Sequence, residues 1–152
     1  MRYDAGVGEQ GYSRIELAVE QLDIALSLFL NNESFVSALT LAGAAEEILG
    51  KALQRKAEQN SLDWKYENTE WWWTELHDKP LSRKEFAEHE NRARNVAKHI
   101  GESNEITVTV DLEDAALWMI VRACDNYRRL QLPGTARMLE FENWFYEYVI
   151  GW

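Results

Sequence analysis

The chain has 152 residues, 46% of them hydrophobic and 28% charged, with only 8 Gly and 2 Pro. That is enough for one domain burying roughly 70% of its unfolded surface, and it excludes disordered and collagen-like classes. The net charge of −10 makes the overall field repel phosphate, which argues against broad, non-specific binding to nucleic acid.

No run approaches the ~18 apolar residues of a membrane span, and Met1-Arg2-Tyr3-Asp4 lacks the apolar core of a signal peptide. The single cysteine, Cys124, excludes an internal disulfide and a Cys-rich zinc site. The expectation is one soluble, cytoplasmic helical domain over 1–152, with 1–12 a flexible N-terminal segment and no membrane association.

In chain order, Ser13-Arg14-Ile15-Glu16 has the form of a capping box and opens a first helix. Its inward face is Ile15, Ala18, Val19, Leu22, Ala25, Leu26 and Phe29, in the 3, 4, 3 rhythm of one buried stripe. A second helix is expected from about Glu33 to Lys56, with Phe35, Ala38, Ala42, Ala45, Leu49 and Leu53 inward. Its small residues Ala42-Gly43-Ala44-Ala45 admit another helix at close range. The aromatic stretch from Glu58 to Pro80 shows no period; a short helix around Trp71 to Leu76 is the most it predicts.

Ser82-Arg83-Lys84-Glu85 is a second capping box, starting a third helix that reaches about Ile100 before Gly101. The β-branched, alternating Glu105–Val110 reads as a short extended piece without a partner strand. Asp111 caps a fourth helix carrying Leu112, Ala116, Met119, Ile120, Ala123 and Tyr127. After Pro133-Gly134 a fifth, from about Thr135, uses Met138, Phe141, Trp144, Phe145, Tyr148 and Trp152. The fold class is all-α: a bundle of four to five main helices with an aromatic-rich insertion between the second and third.

Charge is unevenly spread. Lys79 to Lys98 holds six cations against three anions, a local +3 that leaves −13 elsewhere, so an anionic substrate would be met here. This segment ends in Asn91-Arg92-Ala93-Arg94-Asn95-Val96-Ala97-Lys98-His99. It resembles the HEPN superfamily, helical bundles whose ribonuclease members carry Arg-x4-6-His with a polar residue after the Arg. Arg94…His99 fits, with Asn95 in the polar place. Ser37 to Gly50 is similar to a bacterial branch of the same group. Arg83…His89 and Arg92…His99 share the spacing; Asn95 and the helix end before Gly101 single out Arg94…His99.

The resemblance implies a metal-independent endoribonuclease with no cofactor, of the kind found in toxin–antitoxin or phage-defence settings. It also implies a homodimer, an RNA substrate and an antitoxin or other protein partner. A histidine near neutral pKa moves protons between the 2′-hydroxyl and the leaving oxygen. An arginine offers a fixed fork of donors to the phosphate. The catalytic candidates are therefore Arg94, Asn95 and His99, with Arg92 and Lys98 as substrate-binding cations.

On an unbroken helix Arg94 and His99 diverge by about 140°. Either the helix unwinds before His99, or two copies complete the site. A third arrangement on a continuous helix groups Arg92, Asn95 and His99.

Glu46 falls about 40° from Ala42, inside the apolar arc of its helix, and needs a cation there. Arg94 or His89 are the expected partners, with Glu46 supporting the catalytic Arg or forming a structural pair. His89 itself reads as a core histidine and Cys124 as an inert core thiol. The scattered His77, His89 and His99 give no metal-ligand pattern. Trp71 to Trp73 cannot all face one core, so at least one meets a loop, a partner or solvent, most simply a dimer interface. The alternative function is a non-catalytic helical domain binding a protein partner or a nucleotide.

Overall fold

The computed structural model describes residues 8–99 and 106–151. Within them the chain is all-helical: α1 (Arg14–Leu30), α2 (Phe35–Arg55), α3 (Ser61–His77), α4 (Arg83–Glu90), α5 (Arg92–Lys98), α6 (Leu112–Arg129) and α7 (Ala136–Phe145). A π turn, Tyr146–Ile150, follows α7. No strand occurs among the described residues.

Most helix starts follow from their capping side chains. Ser34, Asn60, Ser82, Asp111 and Thr135 each accept from the backbone N–H three residues on, satisfying one orphan donor. The exceptions are Asn91 before α5 and Ser13 before α1, whose side chains make no capping bond; the first capping box is therefore absent although α1 begins where expected.

The core lies between α1, α2 and α6. Leu22, Leu26, Leu39, Leu49, Leu53 and Ile120 are fully enclosed, each worth about 1.5–3 kcal/mol relative to exposure. Ala42 and Ala45 of α2 and Ala116 and Ala123 of α6 are likewise buried, which keeps the facing backbones near. Helix α7 closes one end. Phe29 of α1 meets Phe141 and Trp144 edge-on at 5.9 and 5.2 Å, and Thr135 donates to Asp23 at 2.7 Å.

Two expectations need correction. The aromatic stretch is a 17-residue helix, α3, rather than a short one. It has no apolar stripe to announce it and docks by particular contacts: Tyr66 Oη donates to the Leu81 carbonyl at 2.9 Å, its ring packs on Phe86, and Arg83 pairs with Asp63. The third helix is broken in two at Asn91, whose φ of −101° and ψ of 2° interrupt the helical run. Ile100, Gly101, Glu105 and Trp152 lie outside the described residues, as do positions 1–7. Ile106 to Val110 is irregular and largely exposed. No helix among the described residues is long and apolar enough to cross a membrane.

Candidate functional site

The inner stripe of α2 places Glu46 against α6, where it is only 6% exposed. A carboxylate there needs charge and hydrogen bonds together. Arg122 of α6, 7% exposed, supplies both: its Nη2 donates to Glu46 Oε1 at 2.8 Å. Its Nη1 donates to Asn91 Oδ1 at 3.1 Å and to the Glu90 carbonyl at 3.4 Å. Arg122 thus holds the break between α4 and α5 against the α2–α6 core.

One turn further along α6, Asn126 is fully enclosed. It donates to the Glu46 carbonyl at 3.2 Å and accepts from the Ser61 N–H at 2.7 Å, fixing the start of α3. Neither Arg122 nor Asn126 was read from the sequence as an interior residue. The signal was available: both share the helical face of Met119 and Ala123, a stripe with no room for unpaired polar groups.

Arg94 of α5 lies across Gly43 of α2. A Cβ at position 43 would stand 2.4 Å from Arg94 Cδ, so this passage requires a glycine. The guanidinium Nη1 donates to the Gly43 carbonyl at 3.5 Å and sits 3.9 Å from Glu46 Oε2 and 4.0 Å from Glu47 Oε2. The expected interior pairing of Glu46 with a cation is therefore present, with one correction. Arg122 is its main partner, Arg94 a second, and His89 none.

Glu47 is held below the ordinary carboxylate range by the hydrogen bond from Lys51 at 2.7 Å. Partial burial opposes this, and the charges of Lys51, Arg94 and Lys98 add to it.

The remaining predicted site residues are placed as follows. His99 ends α5 in an extended conformation, φ −134° and ψ 140°, and is exposed. The helix stops at Lys98, but the His99 N–H still makes the helical bond to the Asn95 carbonyl, so within one chain His99 leaves α5 well away from the face that carries Arg94. Asn95 is exposed, and its carbonyl accepts from the His99 N–H at 3.0 Å. Arg92 and Lys98 are exposed on α5. No side-chain hydrogen bond joins Arg94, Asn95 and His99 among the described residues.

His89 is a second correction: its side chain is 84% exposed. Helix α4 is only eight residues long and buries Phe86 alone, so its inward face is too narrow to enclose His89. Among the tryptophans, Trp71 and Trp72 are mostly exposed and meet each other at 4.5 Å, while Trp73 packs on His77.

A cleft of about 480 Å³ opens beside this network, between α5 and the first half of α6. Arg92, Arg94 and His89 line one side; Asp114, Trp118 and Arg122 line the other. No family model matches the chain, and no curated protein or solved structure does.

Proposed function

We propose that the chain is a HEPN-like, metal-independent endoribonuclease acting as a homodimer, in a toxin–antitoxin or phage-defence setting. The observation that carries this reading is the fixed placement of Arg94 on α5, five residues before the exposed His99 at the helix end. The carboxylates of Glu46 and Glu47 stand 3.9 and 4.0 Å from its Nη1. These carboxylates and the Gly43 carbonyl all lie at Nη1, which leaves Nε and Nη2 as the donors for a phosphate.

In the proposed reaction the RNA 2′-oxygen attacks the adjacent phosphorus and the P–O5′ bond breaks. The 2′-hydroxyl proton leaves to a base, and the departing 5′-oxygen takes up a proton. His99 serves one of these transfers, and the partner copy's equivalent serves the other. Arg94 offsets the charge that builds on the phosphate oxygens, Asn95 orients one of the pair, and Arg92 and Lys98 draw in the strand.

The test is cleavage of mixed single-stranded and structured RNA in EDTA by wild type, Arg94→Ala and His99→Ala. Each substitution is expected to lower the rate by at least ~10²-fold, the lower range for a positioned acid–base or electrostatic group. Equal rates in all three would remove the assignment.

The second reading, a non-catalytic domain binding a protein partner or a nucleotide, is favoured by the net charge of −10 and by the two carboxylates already facing Arg94. It predicts no turnover, together with a thermal shift on adding the nucleotide or co-purification of a partner such as an antitoxin.

A further inference from the structure

The cleft beside Arg94 contains a feature the cleavage chemistry does not use. Asp114, Trp118 and Arg122 recur every four residues along α6 and form one stripe of its wall. Trp118 is 46% exposed, unusual for so large an apolar side chain on a helix that otherwise packs inward. Its orientation is fixed: the indole Nε1 donates to Asp114 Oδ1 at 3.0 Å, and Phe145 meets the ring at 82°. An exposed indole held at its edge and at its N–H is a preorganised flat platform, with little rotamer freedom left to lose on binding.

Charge is sorted across the cleft. Arg92, Arg94 and His89 stand on the α5 side, while Asp111 and Asp114 stand at the start of α6, Asp114 against the indole N–H. Glu90, also in the wall, is paired with Lys65 at 2.6 Å. Arg122, in the α6 wall, is 8% exposed and already donates to Glu46, Asn91 and the Glu90 carbonyl, so it shapes the wall and offers the cleft no open donor.

The geometry points to a nucleotide subsite: one base of single-stranded RNA stacks on Trp118 while its phosphate meets the cations of α5. The polarity is set by the acids. Asp111 and Asp114 repel a phosphate but accept from an exocyclic amino group, so the base and not the phosphate lies on the α6 side. The volume, about 480 Å³, lies within the range of small-molecule sites. The subsite rests on the ribonuclease reading for its ligand, but it requires binding and not turnover.

The test is fluorescence anisotropy of a labelled, adenine-rich RNA decamer on the His99→Ala protein, which holds the strand uncleaved. Trp118→Leu keeps apolar packing on Phe145 and removes the stacking face; it is expected to weaken binding by roughly fivefold to a hundredfold, the range of one base–aromatic stack. Trp118→Phe retains a ring and should stay within about threefold of the parent. In a measurement free of substitutions, adenosine 5′-monophosphate should displace the decamer at lower concentration than ribose 5-phosphate.

Unchanged binding in Trp118→Leu, an equal loss in Trp118→Phe, equal displacement by the two competitors, or no binding by the parent each overturns the subsite. The two readings separate cleanly. RNA cleavage indifferent to Trp118 leaves the nuclease and removes the subsite, whereas Trp118-dependent binding without cleavage does the reverse.

Discussion

Replacing Arg122 by Met keeps the volume of a long side chain but leaves Glu46 buried without its 2.8 Å partner. Arg94 remains at 3.9 Å and compensates only in part. Removing one member of a buried ion pair typically costs about 3–5 kcal/mol, because a desolvated charge is left uncompensated. Asn91 Oδ1 and the Glu90 carbonyl also lose their donor, so the α4–α5 junction loosens along with the core. For a chain of this size each kcal/mol shifts Tm by about 2–4 °C, giving a fall of roughly 6–20 °C.

The double variant Glu46→Met/Arg122→Met removes both charges and is expected to recover most of that loss, since an apolar pair of similar volume often replaces a buried salt bridge without penalty. Urea unfolding of the wild type, both single variants and the double variant gives the coupling energy directly. A cost below about 1 kcal/mol for Arg122→Met, or a double variant that loses the sum of the single effects, would contradict a coupled buried pair.

Gly43→Ala drives a methyl group into the Arg94 stem, since the added Cβ would stand 2.4 Å from Cδ. Helix propensity favours Ala by about 0.5–1 kcal/mol, so stability should change little while Arg94 is displaced and RNA cleavage falls about 10²-fold. Wild-type cleavage in a folded Gly43→Ala protein would show that the chemistry does not depend on where Arg94 lies. A third expectation concerns Cys124, whose thiol burial pushes up to about 12 from an ordinary 9.0. The folded state then binds more protons than the unfolded one above pH 9, so stability falls as pH rises toward 12, by at most ~1.4 kcal/mol per pH unit. Cys124→Ala should flatten that part of the alkaline profile; superimposable urea-midpoint curves from pH 8 to 11 would contradict it.

The helices with one apolar stripe were legible because a single buried face recurs at the helical period, joined on α6 by the Asp111 cap. Leu22 and Leu26, Ala42 and Leu49, and Ile120 and Ala123 are all in the core where the rhythm put them. Helix α3 was not legible because its apolar residues encircle it, and its position is set by Tyr66, Asp63 and the Ser61 N–H meeting distant partners. The interior placement of Glu46 followed from its phase on α2, but the identity of its partner did not. Arg122 is 76 residues away, and charge complementarity between helices leaves no local pattern. The break at Asn91, held by that same distant arginine, was hidden for the same reason, and it separates His89 on α4 from the phase of Ala93 on α5. The approach of Arg94 to Gly43 has a faint signature in the small residues of α2, which indicated a close neighbour without saying which side chain would arrive.

The proposal that Arg94 and His99 act together on an RNA phosphate is tested most directly by the ends left on cleaved RNA in EDTA, determined by mass spectrometry. Attack by the 2′-oxygen predicts a 2′,3′-cyclic phosphate on one fragment and a 5′-hydroxyl on the other, both disappearing with Arg94→Ala and with His99→Ala. Fragments carrying 5′-phosphates, or cyclic ends that persist in both variants, would contradict it.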